Sequence, residues 1–325
     1  MTGGILITGA AGFIGRSLVD ALADAGEAVA AVDLRDPPPG SRRQDVAWEM
    51  VDIRDPGLAR LFARHRPRCV VHLASVVAAG GDAARDYDID VNGTRNLLQA
   101  CRAAGVGHLV VTSSGAAYGY HADNPQPLSE SDPLRGNEDF PYARHKRLVE
   151  EMLADWRRDW PALKQTVFRP CTVLGAGTGN QITAMFERSV VIGLSGSATP
   201  FSLVADSDVV GALVKAVREG RAGIFNLAGD GTLGLRQIAG LLGKPYLPLP
   251  PVLLKVALWL LGGLGLTALG PQHVKFIQYR PVLDNARLKR EFGYVPQFDA
   301  AGVFARYRAA RQAAMHECGP QEGGA

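Results

Sequence analysis

Cysteine is scarce in this chain of 325 residues, with four, at Cys69, Cys101, Cys171 and Cys318. No two are spaced as C-x-x-C, and no histidine spacing completes a zinc site. Neither a disulfide framework nor a metal is expected; reduced thiols in a cytoplasmic protein are. An excess of one charge is also missing. Lys+Arg number 35 against 32 for Asp+Glu, a net charge of +3. No dense basic block marks a nucleic-acid or membrane arm, so neither partner is expected. Lysine is the rarer cation, seven against twenty-eight arginines. The start shows no basic segment leading into an apolar stretch and a cleavage site, so no signal peptide is expected. Long apolar runs are absent but for one, 252–270. Lys255 interrupts it, and Gly262, Gly263 and Gly265 break its second half. A spanning helix needs ~20 mostly apolar residues. The segment therefore reads as a buried helix over 251–261 followed by a glycine turn.

What is present suits a globular fold. The chain is 47% hydrophobic and 21% charged, enough for a substantial core, which excludes wholesale disorder and fibrous architectures. Apolar runs at 4–8, 28–33, 69–74 and 108–112 alternate with helical patterns at 16–24, 58–66 and 90–104, and 46–52 reads as a further strand. This spacing predicts parallel β-α-β units: an α/β, Rossmann-like, doubly wound sheet with helices on both faces. A helix is expected over 141–160, with Asp139 as N-cap and Pro141 in its first turn, then a strand at 165–169. Beyond, 201–204, 208–219 and 224–227 are expected to return to the main sheet. The expected division is 1–170 plus 201–230 for a nucleotide-binding domain and 171–200 plus 231–312 for a smaller C-terminal substrate lobe. Residues 313–325 are expected to be a flexible tail.

Thr8-Gly9-Ala10-Ala11-Gly12-Phe13-Ile14-Gly15 lies between the first strand and the first helix. Gly9 permits a tight turn, Gly12 lets backbone approach a pyrophosphate, and Gly15 permits close helix–strand packing. The helix start offers free N–H groups and positive dipole to phosphates. Asp33 follows Gly15 by eighteen residues and ends the second strand, where a carboxylate accepts hydrogen bonds from ribose hydroxyls. It repels a 2′-phosphate, favouring NAD over NADP. Arg35 is the feature that could reverse this by pairing with that phosphate. Asp52 ends the third strand and could reach the adenine amino group; a helix cap is the alternative.

Tyr142 and Lys146 are four apart on a helix and share a face. Eight tyrosines and seven lysines in this length make fewer than one chance match to Tyr-x-x-x-Lys. A free phenol, pKa about 10, is a poor base at neutral pH. A neighbouring ammonium is expected to lower it, so that it takes a proton from a secondary alcohol or returns one to a ketone. Ser114 follows the 108–113 strand at the carboxyl edge of the sheet, where ligands bind in open α/β folds. Its hydroxyl can orient the substrate oxygen. Each residue alone is equally a packed tyrosine, a solvated lysine or a strand-end serine. Their combination behind a dinucleotide turn points to catalysis.

Thr-Gly-x-x-Gly-x-x-Gly, Asp90-Val91-Asn92-Gly93-Thr94, Thr112-Ser113-Ser114-Gly-Ala-Ala-Tyr118-Gly119 and Tyr142-Ala-Arg-His-Lys146 together resemble the extended short-chain dehydrogenase/reductase family. It is also called the NAD-dependent epimerase/dehydratase family. The resemblance spans the chain and is most specific through Pro170. It implies bound NAD(P), catalysis by Ser114, Tyr142 and Lys146, and a homodimer formed through a helix pair. It places Gly9, Gly12, Phe13, Ile14, Gly15, Asp33, Asp52, Ile53, His72, Leu73, Ala74, Ser75, Asn92, Thr112, Tyr142, Lys146 and Pro170 along the cofactor. Val76, Ser114, Ala116, Cys171 and Arg280 would face the substrate.

Within that family, dehydratases carry Asp-Glu at the places of Gly115 and Ala116. Sugar-nucleotide decarboxylases have a Glu, and reductoisomerases a Cys, at the Ala116 place. Gly115 and Ala116 cannot move protons, which disfavours all three reactions. What remains is hydride exchange at a secondary alcohol or ketone by a net dehydrogenase/ketoreductase, or a nucleotide-sugar 4-epimerase with tightly bound NAD. A non-catalytic dinucleotide sensor is the reading from another class, and such relatives tend to lose the Tyr/Lys pair. The substrate lobe departs from sugar-nucleotide members: Cys171-Thr172 stand where Asn is usual, and Phe201 and Ala205 where Arg and His are. Arg280 remains a candidate phosphate clamp, with a surface or interface arginine as the other reading. Leu247, Leu249, Val252, Leu253, Leu254, Val256, Leu258 and Trp259 read as core or as a pocket wall for a less polar substrate.

Overall fold

The computed structural model describes residues 3–77, 82–267 and 270–317. Six strands in chain order, β1 Ile5–Thr8, β2 Val29–Asp33, β3 Ala47–Met50, β4 Cys69–His72, β5 His108–Thr112 and β6 Lys164–Pro170, join the strand Gly223–Leu227 in one sheet. Its order is Gly223–Leu227, β6, β5, β4, β1, β2, β3, and every pairing is parallel. β1 lies in the interior, with Ile5 opposite Val29 on one side and Cys69 on the other. The β1, β4 and β5 runs ILIT, CVVH and HLVVT are almost wholly buried, as a parallel sheet covered on both faces requires.

Two apolar layers cover the sheet. On one face the helices Phe13–Asp24 and Asp206–Glu219 contribute Leu18, Val19, Leu22, Val209, Leu213 and Val217. On the other, Leu58–His65, Gly93–Ala103 and Pro141–Asp159 contribute Phe62, Leu97, Leu98, Val149 and Leu153. Each fully buried aliphatic or Phe side chain contributes roughly 1.5–3 kcal/mol. A separate cluster around Phe186, Phe201, Phe304 and Tyr307 holds the smaller lobe.

Several expectations need correction. The 201–204 segment does not return to the main sheet. Leu203–Ala205 pairs with Thr172–Leu174, and Pro200–Phe201 with Leu233–Gly234, in separate two-stranded sheets. Only Gly223–Leu227 completes the large sheet, because it alone lies in register beside β6. Asp139 does not cap the long helix. Phe140 occupies that position without a side-chain bond, and Asp139 pairs with Lys275 instead. The helix starting at Pro251 is not buried. It runs Pro251–Gly263 with no fully buried residue, and its main packing is against Pro271–His273 and Val274–Gln278. The C-terminal helix Ala300–Glu317 continues past 313, the expected start of the tail. Cys318 and the rest of the glycine-rich end lie outside the described residues. Among the described residues no helix is long and apolar enough to cross a membrane.

Candidate active site

The carboxyl ends of β1, β2, β4 and β5 converge on one edge of the sheet. At β1 the chain turns through Gly9, whose φ is +73°; a Cβ there would sit 2.6 Å from the Ala74 nitrogen. A Cβ on Gly15 would collide with the Gly9 carbonyl and the Ala10 backbone. The turn is therefore closed to any larger side chain. Gly12 caps the following helix with no side-chain bond, and no acidic residue occupies its first turn. The N–H groups of this first turn, on Phe13, Ile14 and Gly15, lack carbonyl partners within the helix. This is a cradle fit for a pyrophosphate.

Asp33 sits beside it. Its Oδ2 accepts from the Ala11 N–H at 3.0 Å and its Oδ1 from the Arg35 N–H at 3.1 Å. A carboxylate has about four acceptor sites, so capacity for ribose hydroxyls remains. Arg35 is the exposed partner, its guanidinium 3.6 Å from Asp33 and its side chain 73% exposed. Asp52 is already engaged: Arg54 grips both its oxygens, at 3.0 and 2.6 Å to Oδ2, which holds its carboxyl below the usual range. Ile53 is buried against Gly93. Asn92 closes a π-helical turn, Asp88–Asn92, and is held by Asp88 and Arg95.

Of the 72–76 segment only part faces the sheet edge. His72 is buried and bridges the hydroxyls of Thr8, at 2.7 Å, and Thr94, at 3.0 Å. Burial and the Lys146 charge push its pKa down to about 4, so it stays neutral. Both ring nitrogens of His72 are thus occupied within the fold. Leu73 packs against the sheet's first apolar layer, and Ala74 backs the Gly9 turn. Ser75 Oγ and the Val76 N–H both donate to Asp90 Oδ1 at 2.9 Å.

Ser114, Tyr142 and Lys146 come together beyond β5. Ser114 Oγ accepts from the Ala116 N–H at 3.1 Å and starts the short turn Gly115–Tyr118. The Ser114 side chain lies close enough to the Tyr142 phenol to favour its ionised form. Lys146 is 8% exposed; its Nζ donates to the Thr112 carbonyl at 3.2 Å and lies 5.6 Å from the centre of the Tyr142 ring. Thr112 Oγ1 is buried with no partner, a free polar atom at the same edge.

The electrostatics correct one expectation. Burial pushes the Tyr142 phenol up; Ser114 opposes this and the Asp90 charge adds to it. Lys146 lies beside the ring and does not bring the phenol below its ordinary value. Its own pKa is lowered by burial, with Asp90 and Glu150 opposing.

Three supporting residues escaped the sequence reading. Asp90 Oδ2 meets buried His145 Nδ1 at 3.1 Å. Burial alone would raise the Asp90 carboxyl, but His145, Lys146, Val76 and Ser75 bring it below its usual range. Glu150, four residues past Lys146, accepts from Ser113 Oγ at 2.5 Å and from Arg169 Nη2 at 2.7 Å, in full burial. Arg169 Nη1 also donates to the Tyr118 hydroxyl at 2.7 Å. The helix spacing 142–146–150 is the signal that could have found Glu150.

On the substrate side, Ala116 is buried beneath Ser114. Pro170 ends β6, and the Cys171 N–H bonds the Leu227 carbonyl. Burial pushes the Cys171 thiol up. Arg280 stacks 4.0 Å from the centre of the Phe201 ring and donates to Thr172 Oγ1 at 2.8 Å. Tyr120, Phe140 and Phe276 form an aromatic wall beside Tyr142, with Phe140 to Phe276 at 3.9 Å and Phe140 to Tyr142 at 6.2 Å. Among the described residues no cluster could hold a metal ion.

A parallel sheet with a glycine cradle at one strand end and a serine, tyrosine and lysine at its neighbour defines a dinucleotide-dependent oxidoreductase class. The profile of the NAD dependent epimerase/dehydratase family matches residues 5–228, and the chain belongs to that family. NAD-linked hydride chemistry comes with that membership. The Uncharacterized protein Rv0501 of Mycobacterium tuberculosis is 28% identical over 93% of this chain and 82% of its own length. Mouse UDP-glucose 4-epimerase is 33% identical, over 55% of this chain and 56% of its own. The UDP-glucose 4-epimerase of Thermus thermophilus, solved with NAD, superposes with a TM-score of 0.76 at 25% identity, covering 95% of this chain and 99% of that one. The Thermotoga maritima UDP-glucose 4-epimerase, solved with UDP-glucose, gives a TM-score of 0.76 at 24% identity over 96% and 99%.

Proposed function

We propose that the protein is an NAD-linked dehydrogenase/ketoreductase of a secondary alcohol or ketone, with Tyr142 as the acid/base. The observation that carries this reading is the convergence of Ser114, Tyr142 and Lys146 at the end of β5, with Lys146 bonded to the Thr112 carbonyl and 5.6 Å from the centre of the Tyr142 ring. NAD, when bound, supplies the hydride acceptor. Ser114 donates to the substrate oxygen and fixes it near the phenol. As the C–H hydride leaves, the O–H proton passes to the Tyr142 oxygen and the carbon–oxygen double bond forms; burial disfavours the phenolate this needs, and the positive charge of bound NAD would favour it. In reduction the phenol returns that proton. Lys146, held by the Thr112 carbonyl, sets its amine beside the ring, and Asp90 and Glu150 oppose the burial that disfavours its charge.

Cofactor contacts are assigned to the cradle Gly9, Gly12, Phe13, Ile14 and Gly15, to Asp33, and to Leu73, Ala74, Ser75, Asn92, Thr112 and Pro170. Asp33 favours NAD over NADP. Asp52 is a weaker adenine contact, because Arg54 already holds it. Val76, Ala116 and Cys171 border the substrate. The aromatic wall and the stacked Arg280 suit a less polar substrate than a nucleotide diphosphate. The second reading, a nucleotide-sugar 4-epimerase, draws on the likeness to UDP-glucose 4-epimerases. Gly115 and Ala116 are compatible with both, since neither reaction needs an extra proton carrier there.

Cofactor bookkeeping separates them. Purified protein is offered a panel of secondary alcohols and, separately, UDP-glucose. The proposal expects NADH to accumulate in step with ketone, with cofactor exchanging between turnovers. Retained NAD with UDP-galactose formed and no net absorbance change overturns it in favour of the epimerase.

A further inference from the structure

Among the described residues the Pro251–Gly263 helix is the long element with no fully buried side chain. Val252, Leu253, Val256, Trp259 and Leu260 are all exposed, as are Leu264 and Leu266 just beyond it; Trp259 is 67% exposed. At 3.6 residues per turn the first five fan over roughly 120° of the helix surface. Lys255 lies at the margin of that arc. A contiguous apolar face of this kind is rare on a free protein surface.

A second observation concerns charge. From 231 to 283 the sequence contains no Asp or Glu, although the chain has 32 acidic residues. The same stretch carries Arg236, Lys244, Lys255, Lys275 and Arg280. Arg280 is spent on Phe201, and Lys244 on the Phe186 carbonyl. Arg236, Lys255 and Lys275 remain exposed, Lys275 with Asp139 at 3.3 Å. Lys275 belongs to Val274–Gln278, which packs against the apolar helix. Arg236 stacks on Tyr246, in the strand that leads into it.

We propose that this face docks on the surface of an anionic lipid bilayer. The helix lies in the headgroup layer, its leucines and Trp259 toward the acyl boundary and its flanking cations toward phosphates. At ~20 Å for thirteen residues it is too short to span. A second copy of the chain fits less well. A two-fold contact would set this face, with Lys255 at its margin unpaired among the described residues, against itself. The docked face adjoins the aromatic wall of the active site through Phe276, 4.8 Å from Tyr120.

Vesicle flotation tests the proposal with the full chain. Vesicles of phosphatidylcholine alone are compared with vesicles that also contain phosphatidylglycerol. The protein is expected to float with the second kind and to be released by high salt. Lys255→Gln should lower the partition coefficient about fivefold, and the double variant Leu253→Glu/Trp259→Glu should abolish flotation. Unchanged thermal unfolding and NAD binding show that these variants fold. Wild-type protein that stays with the unbound fraction overturns the proposal. So does a solution dimer that the double variant splits, since a second copy would then cover the helix.

Discussion

Seven parallel strands hold the cofactor-facing edge of the molecule, and a Cβ at Gly9 or Gly15 finds backbone atoms in its way. The substrate lobe is stitched from strand pairs of two to four residues and carries a helix with no fully buried side chain. Where the first region has a bidentate ion pair in full burial, Glu150 with Arg169, the second has cations stacked on rings, Arg280 on Phe201 and Arg236 on Tyr246. The contrast separates two tasks. Proton and hydride transfer tolerate little misplacement, so their groups sit on rigid elements. Substrate choice can be altered in a lobe whose contacts are fewer and softer.

The comparison can be broken from either side. The largest expected effect is at Arg169→Ala, which leaves Glu150 buried and unpaired and should cost about 3–5 kcal/mol in denaturant unfolding. A cost near zero would mean that the pair is not part of a rigid frame. Next is the pH dependence of stability. His72 and His108 each have a folded pKa near 4 because burial disfavours the cation. The unfolded chain binds their protons near pH 6.5, so their contribution is complete above that pH and drains away as pH falls toward 4. For His72 this amounts to about 3 kcal/mol at most, and His72→Asn should remove part of the slope between those pH values. A profile identical to wild type would contradict its buried neutral state.

Gly15→Ala should cost about 2 kcal/mol and weaken NAD binding, seen by titration calorimetry, because the added methyl meets the Gly9 carbonyl. The smallest effect is the matching change in the lobe. Gly240 lies in the helix Leu235–Leu241 with nothing within 4 Å of an added Cβ. Gly240→Ala should stabilise by up to about 1 kcal/mol. Equal penalties at both glycines would erase the distinction between the two regions.

The rigid half was also the half legible in the sequence. Its strands are continuous apolar runs, and its glycines stand at positions that only close backbone approach explains. The Tyr142–Lys146 spacing is a helix-face signal, which the Pro141–Asp159 helix bears out. What stayed hidden depends on pairings across the sheet. Asp90 meets His145, and Glu150 meets Arg169, across intervals of sequence that give no local sign of either pairing. The lobe misled more. The 201–204 run reads like any sheet strand, and its true partner at Thr172–Leu174 is set by tertiary packing. The apolar content of Pro251–Gly263 reads as burial, yet the two short elements that pack against it leave most of its surface exposed. Four-residue spacing sets Lys146 beside the Tyr142 ring, but the burial that raises the phenol is a tertiary effect with no local sign in the sequence.

The central claim is that Tyr142 carries the proton while other residues hold the cofactor. Tyr142→Phe, tested with the best substrate of the panel, addresses it most directly through NAD affinity by calorimetry and turnover by NADH formation. The account predicts nearly unchanged affinity and a turnover reduced by about 10²–10⁴-fold. Turnover close to wild type with the phenol oxygen gone would contradict it.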